Sequence, residues 1–209
     1  MLRNLTVAWF LSIAALQALQ PSEEALKKLA SQVDKALGLH PGMTVADIGT
    51  GAAVQQPIRI AGEVAPDGKV VCVEVSQLYV DKIKARIDDE HVPNMEVVLG
   101  KENHPMLARA AFDAILVSNA YHEFTDPEAM LKHICDALRP DGTLVVVEHY
   151  SLTRRSESRA VQVKRHDIAR EILERELTAA GFTIKDRIDP VFVNSPDRFR
   201  YLVRAEKTK

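Results

Sequence analysis

Between Pro21 and Gly38 the apolar positions recur with a helical period. Leu26, Leu29, Ala30, Val33 and Leu37 share one face, with Ser22 as N-cap and Gly38 as stop. The period then shortens. "MTVADIG" (43–49) is too short for a helix and ends on glycine, so it reads as a first strand, and "PIRIAGEVA" from Pro57 reads as a helix. The turn "APDG" leads into the β-branched run "KVVCVEV" (69–75). A helix over 76–90 follows, striped by Leu78, Val80, Ile83 and Ile87, then strands over 94–100 and 111–119. "DPEAMLKHICDAL" predicts a helix with Pro127 in its first turn, "RPDG" a turn, and "TLVVVEHY" (143–150) a buried strand. A helix over 167–180 stops at Gly181. Two last strands, 182–188 and 199–206, are separated by a loop holding Pro190, Ser195 and Pro196.

Strands alternating with helices predict a doubly wound, Rossmann-like α/β fold. The expected sheet has about seven strands, mostly parallel with the last antiparallel, and helices on both faces. The chain has 209 residues, enough for a substantial core, and no linker composition interrupts 21–209, which reads as a single domain. Two cysteines, Cys72 and Cys135, are too few for a disulfide framework or a thiolate zinc site, and both lie in apolar runs. The formal net charge of -2 gives no broad attraction to nucleic acid.

Residues 1–20 stand apart. Arg3 precedes an apolar run from Leu5 to Leu16 with no acidic residue, the layout of a secretory signal. The run is short for a membrane span. It predicts export or membrane association, against the alternative of a lead-in helix on a cytoplasmic protein.

The loop "VADIGTGAAVQQP" (45–57) starts as a nucleotide-binding loop and departs from one. A dinucleotide fingerprint needs a third glycine where Val54 stands. Asp47, just before Gly49, would crowd a pyrophosphate but suits a cationic amino-acid end group. Glu74 ends the second strand, where a carboxylate takes the hydroxyls of a ribose. An amino acid, a ribose and an adenine without phosphate describe S-adenosylmethionine.

From about Leu39 onward the chain resembles the class I S-adenosylmethionine-dependent methyltransferases. "PGMTVADIGTG", "KVVCVEV", "NMEVVLG", "FDAILVSNAYHEFTDPEAMLKHICDALRPDGTLVVVEHY" and "AAGF" follow that family's order and spacing. The resemblance implies that Asp47, Gly49 and Gly51 line the methionine end and that Glu74 holds the ribose. It further implies that Glu102 and Asn103 flank the adenine and that Asn119 closes the pocket beneath the sulfonium. The departure is at Ala53, the family's third glycine, and at the polar Gln55-Gln56-Pro57 that follows.

The acceptor is less legible. "NAYHEF" has no Asn/Asp-Pro-Pro run of the kind that accompanies methylation of nucleic-acid bases, so the expected substrate is a small organic molecule. His122-Glu123 and Glu148-His149 pair an acid with an imidazole at neighbouring strand ends, an arrangement suited to a general base or to metal ligation. The expected catalytic residues are His122, as base, and Tyr121; no metal is expected. His166 is a weaker pocket candidate. A non-catalytic binding module with a disabled loop and a nicotinamide-dependent oxidoreductase are the alternative functions.

Overall fold

The computed structural model describes residues 21–52 and 54–208. The expectations for residues 1–20 and for Ala53 lie outside them.

Helix α1 (Glu23–Leu37) is capped as its sequence requires. The Ser22 side chain accepts from the Ala25 amide at 3.1 Å, and Gly38, at φ 68°, returns its N–H to the Asp34 and Lys35 carbonyls. Its buried stripe is Leu29, Val33, Ala36 and Leu37, while Leu26 is exposed. The packed face is therefore rotated from the expected one, with Ala36 in place of Leu26.

Strands β1 (Thr44–Ile48), β2 (Lys69–Glu74), β3 (Met95–Leu99) and β4 (Phe112–Ser118) alternate with α2 (Gln55–Val64) and α3 (Gln77–Asp89). After β4 come α4 (Pro127–Ala137), β5 (Leu138–Ser151), the short α5 (Arg159–Val163), α6 (Arg170–Ala179), β6 (Phe182–Ser195) and β7 (Arg198–Lys207). All pack as one seven-stranded sheet in the order β3-β2-β1-β4-β5-β7-β6. Parallel pairing joins β1 to β2 and β4, β2 to β3, and β4 to β5; β7 runs antiparallel to both β5 and β6. This is the doubly wound fold expected, with the last strand reversed.

Helices cover both faces. On one, Leu131 and Ile134 of α4 and Leu173 and Leu177 of α6 pack on Ile115, Val117 and Val146. On the other, Val33 of α1, Ile60 and Val64 of α2 and Ile83 of α3 pack on Val45, Cys72, Leu116 and Val145. Strand β1 is followed outward on one side by β2 and on the other by β4, so the order reverses between β1 and β4. Parallel α/β sheets bind ligands at the carboxyl end of that point.

Several boundaries differ from the sequence reading. Helix α2 starts at Gln55, ahead of Pro57, which lies buried in its first turn. The "RPDG" segment belongs to β5, because Leu138 pairs with Phe112 and Arg139 pairs with Asp113 before the ladder resumes at Thr143. Strand β6 continues through Pro190. It is an edge strand, where a missing N–H costs no ladder bond, and its register shifts between Ile188 and Phe192. The helix expected from Asp167 begins at Arg170, leaving Asp167 to a buried polar role.

Gly68 couples α2 to β2. A Cβ there would lie 2.2 Å from the Val64 carbonyl oxygen and 2.7 Å from that of Met43, both backbone atoms with little room to yield. Gly68→Ala should lower the urea midpoint, with a loss of more than about 1 kcal/mol. An unchanged midpoint would contradict this packing.

Candidate functional site

A cavity of about 630 Å³ opens at the carboxyl ends of β1, β2 and β4, within the size range of small-ligand sites. Asp47, Gly49 and Gly51 line it from the β1 loop, Glu74 from β2, Glu102 from the segment after β3, and Asn119 from the segment after β4.

The β1 loop is shaped by its glycines and tied to β2. Gly49 and Gly51 have φ of 75° and 67°, and a Cβ on Gly49 would lie 2.4 Å from that of Ala120. Only glycine meets both demands at Gly49. The Glu74 carboxylate accepts from the Gly51 amide and, at 3.2 Å, from its neighbour Val75. The Thr50 hydroxyl donates to the Asp47 carbonyl at 2.9 Å. Val54 is fully buried and its carbonyl accepts from the Ile58 amide, so it anchors the start of α2 in the core. The unusual polar residues serve the same turn: Gln56 and Pro57 line the cavity.

Asp47 is buried, and among the described residues no cationic side chain is a partner for it. Burial, reinforced by the charge of Glu74 and opposed by Thr50, pushes its carboxyl from 3.8 up to about 7. A carboxylate so placed is stabilised by any cation that enters the cavity.

Beside the cavity lies a second polar group of residues. His122 is on a short 3₁₀ turn (Tyr121–Glu123) directly after β4, with its side chain buried. Its Nδ1 is 3.0 Å from both oxygens of the fully buried Glu148, which also accepts from the His122 backbone amide at 3.2 Å. Its Nε2 is therefore directed at His166 Nδ1, 3.3 Å away, and at Glu123 Oε1, 3.7 Å away. Burial disfavours a charged His122, but the Glu148 hydrogen bond and the charges of Glu148 and Glu123 outweigh it, so its pKa is raised. Glu123 also lines the cofactor-sized cavity, joining the two regions.

His149 is different. Burial first, then Arg198 and Arg200, lower it to about 3 and keep it neutral. Arg198 bonds to its Nε2 and also pairs with Asp167, which Arg154 Nη2 reaches at 2.6 Å. These groups form a structural network under the β5–β7 pair.

The structure brings Asp47, Gly49, Gly51, Glu74, Glu102 and Asn119 together, as the sequence suggested. Asn103 is not in the lining: Lys101 and His104 pair backbone to backbone in a tight turn that leaves Asn103 exposed at its tip. His122 and His166 lie outside it as well, and so does Tyr121. Its ring is fully buried against Phe124, and its hydroxyl donates to Glu176 of α6 at 2.7 Å. Burial and the Glu176 carboxylate push that hydroxyl's pKa up, so it keeps its proton and donates it in the bond to Glu176. Tyr121 thus docks the β4 turn onto α6. Sequence reasoning missed Tyr79, Phe124 and Met130 of the lining and the contact between His166 and His122. No periodicity marks a loop histidine that meets its partner only in the folded chain.

Residues 39–193 match the family described as "methyltransferase domain". The chain is 34% identical over 109 residues to protein-L-isoaspartate O-methyltransferase 2 of Rhodopseudomonas palustris, covering 52% of this chain and 46% of that protein. It is 26% identical over 171 residues to the ubiquinone/menaquinone biosynthesis C-methyltransferase UbiE of Escherichia coli, covering 80% of this chain and 61% of that protein. The chain therefore spans about half to three-fifths of the length of these curated relatives. In fold it is similar to a SAM-dependent methyltransferase from Aquifex aeolicus, with a TM-score of 0.71 at 23% identity over 84% of this chain and 88% of the other.

Two outcomes follow from the geometry. The folded Asp47 holds its proton more tightly than the unfolded chain does, so it lowers stability as pH rises from about 3.8 to about 7. Asp47→Asn removes that penalty. In urea unfolding, the variant should gain on the wild type between pH 5 and pH 8; equal differences at both would contradict a raised Asp47. Tyr121→Phe should cost on the order of 1 kcal/mol of stability for the lost hydrogen bond, with ligand affinity at the cavity unchanged. A tenfold affinity loss on that substitution would place Tyr121 in the site after all.

Proposed function

This chain belongs to the methyltransferase-domain family, and we propose that it methylates a small organic acceptor with S-adenosylmethionine as donor. The observation that carries the reading is the buried, cation-seeking Asp47 at the end of β1, set beside Glu74 at the end of β2. Two acids at adjacent strand ends repel a pyrophosphate and suit a ligand that ends in an ammonium group and carries a ribose diol.

The bound donor supplies a methyl group made electrophilic by a sulfonium. Asp47 holds the amino-acid end by charge, the Gly49–Gly51 backbone allows its close approach, and Glu74 accepts from the ribose hydroxyls. Glu102 flanks the adenine, and Asn119 closes the cavity between the donor and the β4 turn. In the transfer, an electron pair of the acceptor atom would form the new bond to the methyl carbon, the carbon–sulfur pair would stay on sulfur, and the acceptor's proton would leave to a base or to water. Positioning and exclusion of water supply most of the rate in such a displacement. His122, locked by Glu148 and with Nε2 turned to Glu123 at the cavity wall, is the residue we assign to activating the acceptor.

A small organic acceptor agrees with the net charge of -2 and with the mixed apolar and polar wall built from Glu123, Phe124 and Thr125. Export or membrane attachment through residues 1–20 belongs to the same proposal and rests on the Arg3-led apolar run. Cell fractionation with and without that segment tests it. No helix among the described residues is long and apolar enough to cross a membrane.

Calorimetry with S-adenosylhomocysteine tests the cofactor assignment. Asp47→Ala and Glu74→Ala should each weaken binding by about 1.5–3 kcal/mol, as expected for a lost charge-assisted bond. Unchanged affinity in both would remove the assignment, and binding of NAD in its place would favour an oxidoreductase. With an acceptor found from a panel of phenols, thiols, amines and quinols, His122→Ala should lower turnover by about 10²–10⁴-fold with homocysteine-product affinity retained. Wild-type turnover would exclude His122 from the chemistry.

A further inference from the structure

We infer that His122, His166 and Glu123 form a binding site for one divalent transition-metal ion beside the cavity, which Glu123 alone of the three lines. The inference rests on three side chains from two separate segments whose donor atoms converge. His122 Nε2, His166 Nδ1 and a Glu123 carboxylate oxygen all lie within 4.8 Å of one another. The nitrogens are 3.3 Å apart, and Glu123 Oε1 is 3.7 Å from His122 Nε2. Two nitrogens bound about 2.0–2.1 Å from a tetrahedral zinc stand about 3.3–3.4 Å apart. The histidine pair thus already has the spacing of one edge of such a site.

The surroundings agree. Histidine ligands commonly hold their second ring nitrogen on a carboxylate, which fixes the tautomer and raises the basicity of the ligating atom. Glu148 does this to His122 Nδ1 from a fully buried position. The charges of Glu148 and Glu123 favour a cation at Nε2, against the opposing charge of Arg198, while His149 close by is neutral. His166 has φ 53°, a left-handed conformation uncommon for a residue with a side chain. Its backbone is clamped there: its amide bonds to the Val163 carbonyl, and its own carbonyl accepts from Arg198 at 2.9 Å. These two bonds hold the His166 ring against that of His122.

Two histidines and one carboxylate leave positions open for an exogenous ligand, as in catalytic rather than structural centres. Glu123 lines the cavity, so those positions adjoin the place where the acceptor must sit. An acceptor oxygen or nitrogen on the ion would lose its proton more readily, and His122, its Nε2 then on the ion, would activate the acceptor through the metal and not as a free base. That part rests on the methyltransferase reading, whereas metal binding itself does not. It also departs from the sequence expectation of no metal, because nothing in the spacing of residues 122 and 166 announces their meeting.

The test is titration of the tag-free, metal-stripped full chain with Co²⁺, followed by visible d–d absorption, with S-adenosylhomocysteine binding measured in the same samples. One saturable Co²⁺ equivalent, displaced by Zn²⁺, is expected. His166→Ala and Glu123→Gln, both at exposed positions, should each weaken it at least tenfold, and His40→Ala should leave it unchanged. Absence of saturable uptake in a chain that binds S-adenosylhomocysteine would overturn the site. So would uptake that neither His166→Ala nor Glu123→Gln weakens. Metal uptake without S-adenosylhomocysteine binding would keep the site and remove its role in methyl transfer.

Discussion

A buried carboxylate facing into a cavity is the constraint around which the rest of the site is arranged. Asp47 sits at the carboxyl end of the central strand β1, deep enough that burial carries its pKa to about 7. A parallel sheet puts it there because β1 has β2 on one side and β4 on the other, both running the same way. The chain must turn sharply at once to form α2, and Gly49 and Gly51 permit that turn without a side chain in the cavity. The Glu74 carboxylate then takes the Gly51 amide, so the second acid also braces the loop that carries the first. A ligand with a cationic end relieves the unfavourable charge on Asp47 and adds its own hydrogen bonds to Glu74.

The second region depends on burial in the opposite sense. Glu148 is fully enclosed at the end of β5 and accepts hydrogen bonds from the backbone and side chain of His122. That fixes which ring nitrogen of His122 is available. The neighbouring His149 faces arginines and stays neutral, so two acid–imidazole pairs that look alike in sequence have different electrostatics. Tyr121, which precedes His122, ties the turn to α6 through Glu176.

Much of the fold was legible because its signals are local. The β-branched runs at 69–75 and 143–150, the Ser22 cap and the Gly38 stop each specify structure within a few residues, and each is found in place. The boundaries that moved depend on tertiary partners: Arg139 meeting Asp113 extends β5, and the edge position of β6 lets Pro190 stay within a strand. At the site, the strand-end residues that line the cavity could be read because strand ends are predictable places. Asn103 and Tyr121 could not, since one is turned out by a backbone pairing and the other in by a helix remote in sequence. His166 depends on a strained loop that no propensity foretells.

The β1 loop departs from the usual glycine pattern where Val54 stands, and Asp47 lies at its start. The most direct measurement is proton release on binding S-adenosylhomocysteine, by calorimetry near pH 7 in two buffers of different ionisation enthalpy. A folded carboxyl with a pKa of about 7 is partly protonated there and must ionise to meet the ligand's ammonium. The account predicts saturable binding with release of a fraction of a proton, and no such release in Asp47→Asn. Absence of binding, or binding with the same proton balance in both proteins, would contradict it.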